Sequence, residues 1–225
     1  PSTLYRNLGK LTSPTYTHNY YVDGNMTAID SFYNNNWHTV LTATLAAGGQ
    51  GVFALDITNP ALFSESNASS LVLWEFNDTD DADLGYTFGK PSIVKMANGS
   101  WAAIFGNGYN NTANDGAASS TGNAVLYIVD IQTGALIKKL DTEEGMNEDP
   151  TATARPNGMS APAVIDINGD HIADYIYAGD LFGNVWKIDI TSSNPNQWDF
   201  AFKQGSTPKP LFTAITNGIN QSITS

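Results

Sequence analysis

Cysteine is absent from the 225 residues, which excludes a disulfide framework, a thiolate metal site and a cysteine nucleophile. Basic residues are scarce as well. Ten Lys+Arg stand against 22 Asp+Glu, giving a net charge of −12, a sign that repels nucleic acid and anionic lipid and favours cations. Charged residues make up only 14% of the chain while 41% is hydrophobic; Asn, Thr, Ser and Gly fill the difference, as in extracellular β proteins. No run of about eighteen apolar residues occurs, so no helix-forming stretch spans a membrane. The three histidines, His18, His38 and His171, lack metal-ligand spacing, which argues against zinc. There is no Gly-x-Ser-x-Gly elbow and no phosphate-binding loop. Residue 1 is Pro rather than Met, so the chain reads as a piece of a longer one, and a missing leader says nothing about export.

Helical periodicity is missing too, and a repeat stands in its place: a short strand, a glycine-rich or small-residue turn, then a second strand closing on aspartate. Copies run from Trp37 to Pro60, Trp101 to Gly134 and Asp174 to Ser193. Aligned, they stack Phe53 on Tyr127 and Trp186, Asp56 on Asp130 and Asp189, and Ile57 on Ile131 and Ile190. Matching upstream strands lie in "KPSIVKMANG" and "APAVIDINGD", with a weaker version in "VDGNMTAIDSF". Such a repeat predicts an all-β fold, a modified, multi-bladed β-propeller with only part of its ring in this chain, residues 1–225 forming one domain. The period exceeds a plain blade of about 40–50 residues, so long insertions are expected at Gly106–Asn123 and Asp141–Gly158. The first of these is too polar and glycine-rich to pack and is expected to be mobile. "KPLFTAI", residues 209–215, reads as the start of another blade. The repeated aspartates are expected to cap turns, and the five tryptophans to fill the core.

The segment "DINGDHIADYIYAGD" interrupts this pattern. With Asp166 as position 1, side-chain oxygens fall at positions 1, 3, 5 and 9 (Asp166, Asn168, Asp170, Asp174), with the Ile172 carbonyl at position 7. This is the spacing by which an EF-hand-like loop wraps Ca²⁺, and three carboxylates this close repel one another without a cation. Position 12 is Tyr177, so the bidentate glutamate of a helix-flanked loop is missing, and position 6 is His171 where glycine is usual. Mg²⁺, which keeps its waters and demands a stricter octahedron, fits less well. The alternative is a bare Asn168-Gly169 hairpin turn, which leaves Asp174 unexplained. A second acidic run, with Asp78, Asp80, Asp81 and Asp83, lacks the glycine turn and the ladder of odd positions and is expected to be a solvated loop.

Several stretches resemble the C-terminal propeller of the PilC/PilY family, the type IV pilus tip-associated biogenesis and adhesion proteins. They are "YYVDGNMTAIDSFYNNNWHTVLTATLAAGGQGVFALDITNP", "DLGYTFGKPSIVKMANGSWAAIFGNGYN", "GNAVLYIVDIQTGALIKKLDT" and "NGMSAPAVIDINGDHIADYIYAGDLFGNVWKIDI". The resemblance implies a non-enzymatic propeller with one surface Ca²⁺ loop, liganded by Asp166, Asn168, Asp170, the Ile172 carbonyl and Asp174. It also implies export to the outer membrane and pilus tip, pilus components such as minor pilins as partners, and a role in opposing retraction, in twitching motility and in attachment to host or abiotic surfaces. His171 departs from the family's usual glycine. Two other classes compete: a calcium-stabilised extracellular binding propeller without a pilus role, and a quinone-dependent dehydrogenase. "IVDIQTGALIKKL" echoes the docking strand of the latter but lacks its terminal tryptophan and paired cysteines.

Overall fold

The computed structural model describes residues 1–113 and 116–224. Three antiparallel four-stranded meanders follow one another along the chain. The first holds β1 (Met26–Tyr33), β2 (Asn36–Thr44), β3 (Gly51–Asp56) and β4 (Val72–Asn77). The second holds β5 (Ser92–Lys95), β6 (Trp101–Gly106), β7 (Val125–Asp130) and β8 (Leu136–Asp141). The third holds β9 (Ala163–Ile165), β10 (Tyr175–Gly179), β11 (Asn184–Asp189) and β12 (Asp199–Phe200). Among the described residues, helix is limited to single turns such as α1 (Tyr5–Leu8) and α2 (Ala68–Leu71) and to short 3₁₀ segments. The sheets are separate and do not close on themselves, as a part of a propeller requires.

What joins the blades is side-chain burial between sheet faces. Strand β7 is apolar on both faces, the pattern of a strand buried on both sides. Val125, Tyr127 and Val129 pack with Trp74 and Phe76 of the first blade, and Leu126 and Ile128 pack with Trp186 and Ile188 of the third. Each such side chain, fully buried, contributes about 1.5–3 kcal/mol. Phe53, Tyr127 and Trp186 occupy the same register, opposite Ala43, Phe105 and Ala178. Tyr127 and Trp186 are fully buried against the preceding blade, but Phe53 is only half-buried, because Val52 and Ala54 take the face of β3 that meets the second blade.

The repeated aspartates cap turns as expected. Thr58 N, Thr133 N and Thr191 N donate to Asp56, Asp130 and Asp189 at 2.9, 2.8 and 3.0 Å. Three expectations need correction. The 106–123 loop is packed: Asn107 and Asn111 are fully buried, and both donate through Nδ2 to the carbonyls of Asp83 and Asn123. Side-chain amides satisfying buried backbone are what let so polar a segment pack; Asn114 and Asp115 of this loop lie outside the described residues. "KPLFTAI" starts no new blade. After a small hairpin, β13 (Lys203–Gln204) and β14 (Thr207–Pro208), strand β15 (Phe212–Thr213) pairs with β11 and extends the third blade. Trp37, finally, is 62% exposed rather than core.

Candidate metal-binding loop

Each blade turns from its first strand to its second through a hairpin. In the second blade Lys95 pairs with Trp101, and Met96 N donates to Ser100 O across a short turn. In the third blade the corresponding ends are Asp166 and Asp174, one step beyond the Ile165–Tyr175 pair, and the hairpin is two residues longer. Asp174 therefore stands where the other blades carry Thr39 and Trp101, since Ile57 N, Ile131 N and Ile190 N donate to the carbonyls of Thr39, Trp101 and Asp174 respectively. Nothing in the blade architecture demands an acid there.

The loop is held open by its own side-chain oxygens. Gly169 N and His171 N donate to Asp166 Oδ1 and Oδ2 at 2.7 and 2.8 Å. Asp170 N donates to Asn168 Oδ1 and Ile172 N to Asp170 Oδ1, each at 2.9 Å. Ile167 N donates to Asp174 Oδ2 at 2.9 Å. Gly169 and His171 take φ of +79° and +66°, so the histidine adopts the left-handed turn that its position requires. Desolvation of Asp166 is outweighed by the N–H bonds from His171 and Gly169, and its carboxyl sits below the ordinary carboxylate range.

All five expected ligand residues lie on this one hairpin. Asp166, Asn168 and Asp170 are exposed and Ile172 half-buried, whereas Asp174 is only 8% exposed at the loop's base. Asp174 is thus part of the anchor that holds Ile167 as well as an expected ligand. Among the described residues, no three acidic or imidazole side chains stand close enough to grip a metal as they are. The donor set itself, carboxylates with an amide and a backbone carbonyl, suits a hard divalent cation. Binding would require the carboxylates to draw closer together than they stand here. The far side of the loop is tied to the second blade, where Ala173 N donates to Lys95 O at 2.9 Å and Ala173 shares a core with Met96.

The second acidic run is not a solvated loop, which is a further correction. Lys139 Nζ contacts Asp81 at 2.8 Å and Asp83 at 2.7 Å, Tyr127 Oη donates to Asp81 at 3.0 Å, and Ser119 Oγ donates to Asp83. An ammonium already compensates these carboxylates. Burial pulls the Lys139 pKa down, but its hydrogen bonds to Asp81 and Asp83 outweigh burial and the net shift is upward. Sequence reasoning also passed over Asp180. Fully buried, it accepts from Asn157 Nδ2, Phe182 N, Asn184 N, Asn184 Nδ2 and Trp186 Nε1. The one local hint was the turn spacing Asp180–Gly183–Asn184. His38 pairs with Asp56 at 2.8 Å and stacks on Tyr33. A cavity of about 1020 Å³ is lined by a mixture of polar and apolar groups, among them Ser2, Leu4, Asn7, His18, Ala47 and Asp78.

Three face-to-face blades with an oxygen-rich hairpin on the third define a partial β-propeller with a candidate ion loop. The chain belongs to the PilY1 β-propeller domain family, whose model matches residues 1–225. A type IV pilus biogenesis factor PilY1 homolog of Xylella fastidiosa is 45% identical over the whole chain, which spans 15% of that relative. The PilY1 of Pseudomonas aeruginosa is 39% identical over the whole chain, here 19% of the relative's length. The crystal structure of the Pseudomonas aeruginosa PilY1 C-terminal domain superposes with a TM-score of 0.77 at 35% identity, covering all of this chain and 43% of that one. The rhamnogalacturonan lyase YesX, 10% identical with a TM-score of 0.50 over 84% of this chain, shares the fold alone. The relatives from Xylella fastidiosa and Pseudomonas aeruginosa are both named as type IV pilus biogenesis factors.

Proposed function

We propose that this chain is the calcium-binding propeller portion of a type IV pilus protein that acts at the cell surface and pilus tip. The observation that carries the calcium reading is the 166–174 hairpin: oxygen donors at positions 1, 3, 5, 7 and 9, with a left-handed His171 at position 6. The donors would be Asp166, Asn168, Asp170, the Ile172 carbonyl and Asp174, with water completing the shell. Calcium would offset two of the three carboxylate charges and stiffen a hairpin that rests on the neighbouring blade through the Ala173–Lys95 bond, ordering one edge of the blade interface. The names of the relatives support a pilus context. In that context, ion occupancy would bias the assembly between opposing and permitting retraction, and so act on twitching and attachment to host or abiotic surfaces. Minor pilins are the partners this reading implies, and the outer membrane is the place, reached by export through the periplasm. No helix among the described residues is long and apolar enough to cross a membrane.

The test is calorimetric titration with Ca²⁺. Without a bidentate residue at position 12, the dissociation constant is expected near 10⁻⁷–10⁻⁵ M, the range of sensor sites, or weaker. Asp170→Ala, at an exposed position, and Asp174→Asn, which keeps an acceptor for Ile167 N, should each abolish or severely weaken binding with unchanged circular dichroism. Full calcium affinity in both variants would sink the calcium reading and leave a bare hairpin.

A further inference from the structure

The sequence contains five Asn-Gly pairs: Asn98-Gly99, Asn107-Gly108, Asn157-Gly158, Asn168-Gly169 and Asn217-Gly218. Such pairs are where a backbone can attack its own side chain, because glycine leaves the attacking nitrogen unshielded. The fold sorts them into two groups. Asn107 and Asn157 are fully buried with their amides bonded on both sides. Their glycines are packed so tightly that an added Cβ would lie 2.0 Å from a backbone oxygen. Asn98, Asn168 and Asn217 are exposed, and each is followed by a glycine at positive φ with open space around it.

We propose that Asn168-Gly169 is a site of spontaneous covalent modification whose rate is gated by the cation in its loop. The Gly169 amide nitrogen gives up its proton and bonds to Asn168 Cγ. The Cγ–Nδ2 bond breaks and ammonia leaves with that proton. Water then opens the cyclic imide at either carbonyl, leaving an aspartyl or a β-linked isoaspartyl residue at 168. No oxidant or cofactor is needed. For the attack, Cγ must swing over the Gly169 nitrogen, which requires releasing Asn168 Oδ1 from Asp170 N and Gly169 N from Asp166. In the free loop those two bonds are exposed to water and open readily. An ion gripping Asp166 and Asn168 would hold both closed. The consequence is local: an aspartyl product places a fourth carboxylate in the loop, and an isoaspartyl product lengthens the backbone by a methylene and displaces the position-3 oxygen.

The gate rests on the calcium reading above; the chemistry does not. The test is peptide mapping by mass spectrometry of the folded protein, aged at mildly alkaline pH in chelator or in saturating Ca²⁺, with calorimetry of the same sample. In chelator, Asn168 should convert at a rate comparable to Asn98 and Asn217, while Asn107 and Asn157 stay intact. Calcium should slow Asn168 at least several-fold and leave Asn98 and Asn217 unchanged. An intact Asn168 in chelator, under conditions that convert Asn98, overturns the modification site whatever the calcium affinity. Equal rates at Asn168 with and without Ca²⁺ overturn the gate. Calorimetry then tells whether the ion failed to bind, so that the proposed function falls with it, or bound without protecting, so that the inference falls alone.

Discussion

Lys139 is the side chain whose removal tests the electrostatic reading of the 78–86 segment most sharply. Its ammonium sits within 2.8 Å of Asp81 and 2.7 Å of Asp83, and Asp81 also receives the hydroxyl of the fully buried Tyr127. Lys139→Met keeps the stem's length and apolar contacts but leaves two adjacent carboxylates uncompensated. Breaking a fully buried pair in this way costs about 3–5 kcal/mol. Here the lysine is 29% exposed and the acids 15% and 17%, so solvent screening lowers the expectation to about 2–3 kcal/mol. For a chain of this size that corresponds to a fall in Tm of about 4–12 °C, read by circular dichroism, with Lys138→Met as the neighbouring control. In a double-mutant cycle, adding Asp83→Asn should recover part of the loss, because it removes one of the two repelling charges. The sign with pH follows from the raised Lys139 pKa. Its contribution is fully present below the unfolded lysine value of about 10.4 and is lost as pH rises through the folded value above it. The difference between wild type and variant should therefore hold at neutral pH, shrink on the alkaline side only in strong alkali, and shrink in acid as the carboxylates are protonated. A Lys139→Met protein as stable as the Lys138→Met control would refute the argument.

Two further outcomes follow from the loops. Replacing His171, at φ +66°, with glycine relieves a left-handed residue at a cost in chain entropy, a net gain of up to about 1 kcal/mol. Calcium affinity measured by titration should then be equal or up to about fivefold tighter, and weaker binding would show that the histidine helps to hold the loop. At Asp149, burial raises the carboxyl's pKa, but Arg155 and the backbone N–H bonds outweigh it and leave it well below the ordinary range. Its stabilisation is present above pH about 3.9 and lost as pH falls toward the folded value. Asp149→Asn should cost about 1–3 kcal/mol at neutral pH and progressively less in acid; a difference that is constant across acid titration would contradict the assignment.

The blade strands were legible because strand alternation is a local signal: Phe53, Tyr127 and Trp186 each stand at the same step before a turn-capping aspartate, and their registers match. The hairpin at 166–174 was legible for a similar reason, since its oxygens recur at odd positions along nine consecutive residues and its hydrogen bonds span at most seven. What the sequence could not show depends on residues distant along the chain. Lys139 reaches Asp81 across 58 positions, so a cluster that read as solvated acids is in fact partly compensated by an ammonium. The Asp180 hub gathers Asn157 from 23 residues away. Strand β15 joins the third blade rather than opening a fourth because β11 offers a free stretch of edge at Asn184 and Val185 beyond its short pairing with β12. Burial divides Phe53 from Tyr127 and Trp186 although their local patterns agree. Pattern assigns a side chain to a face of its sheet, and only tertiary packing decides whether another sheet covers that face.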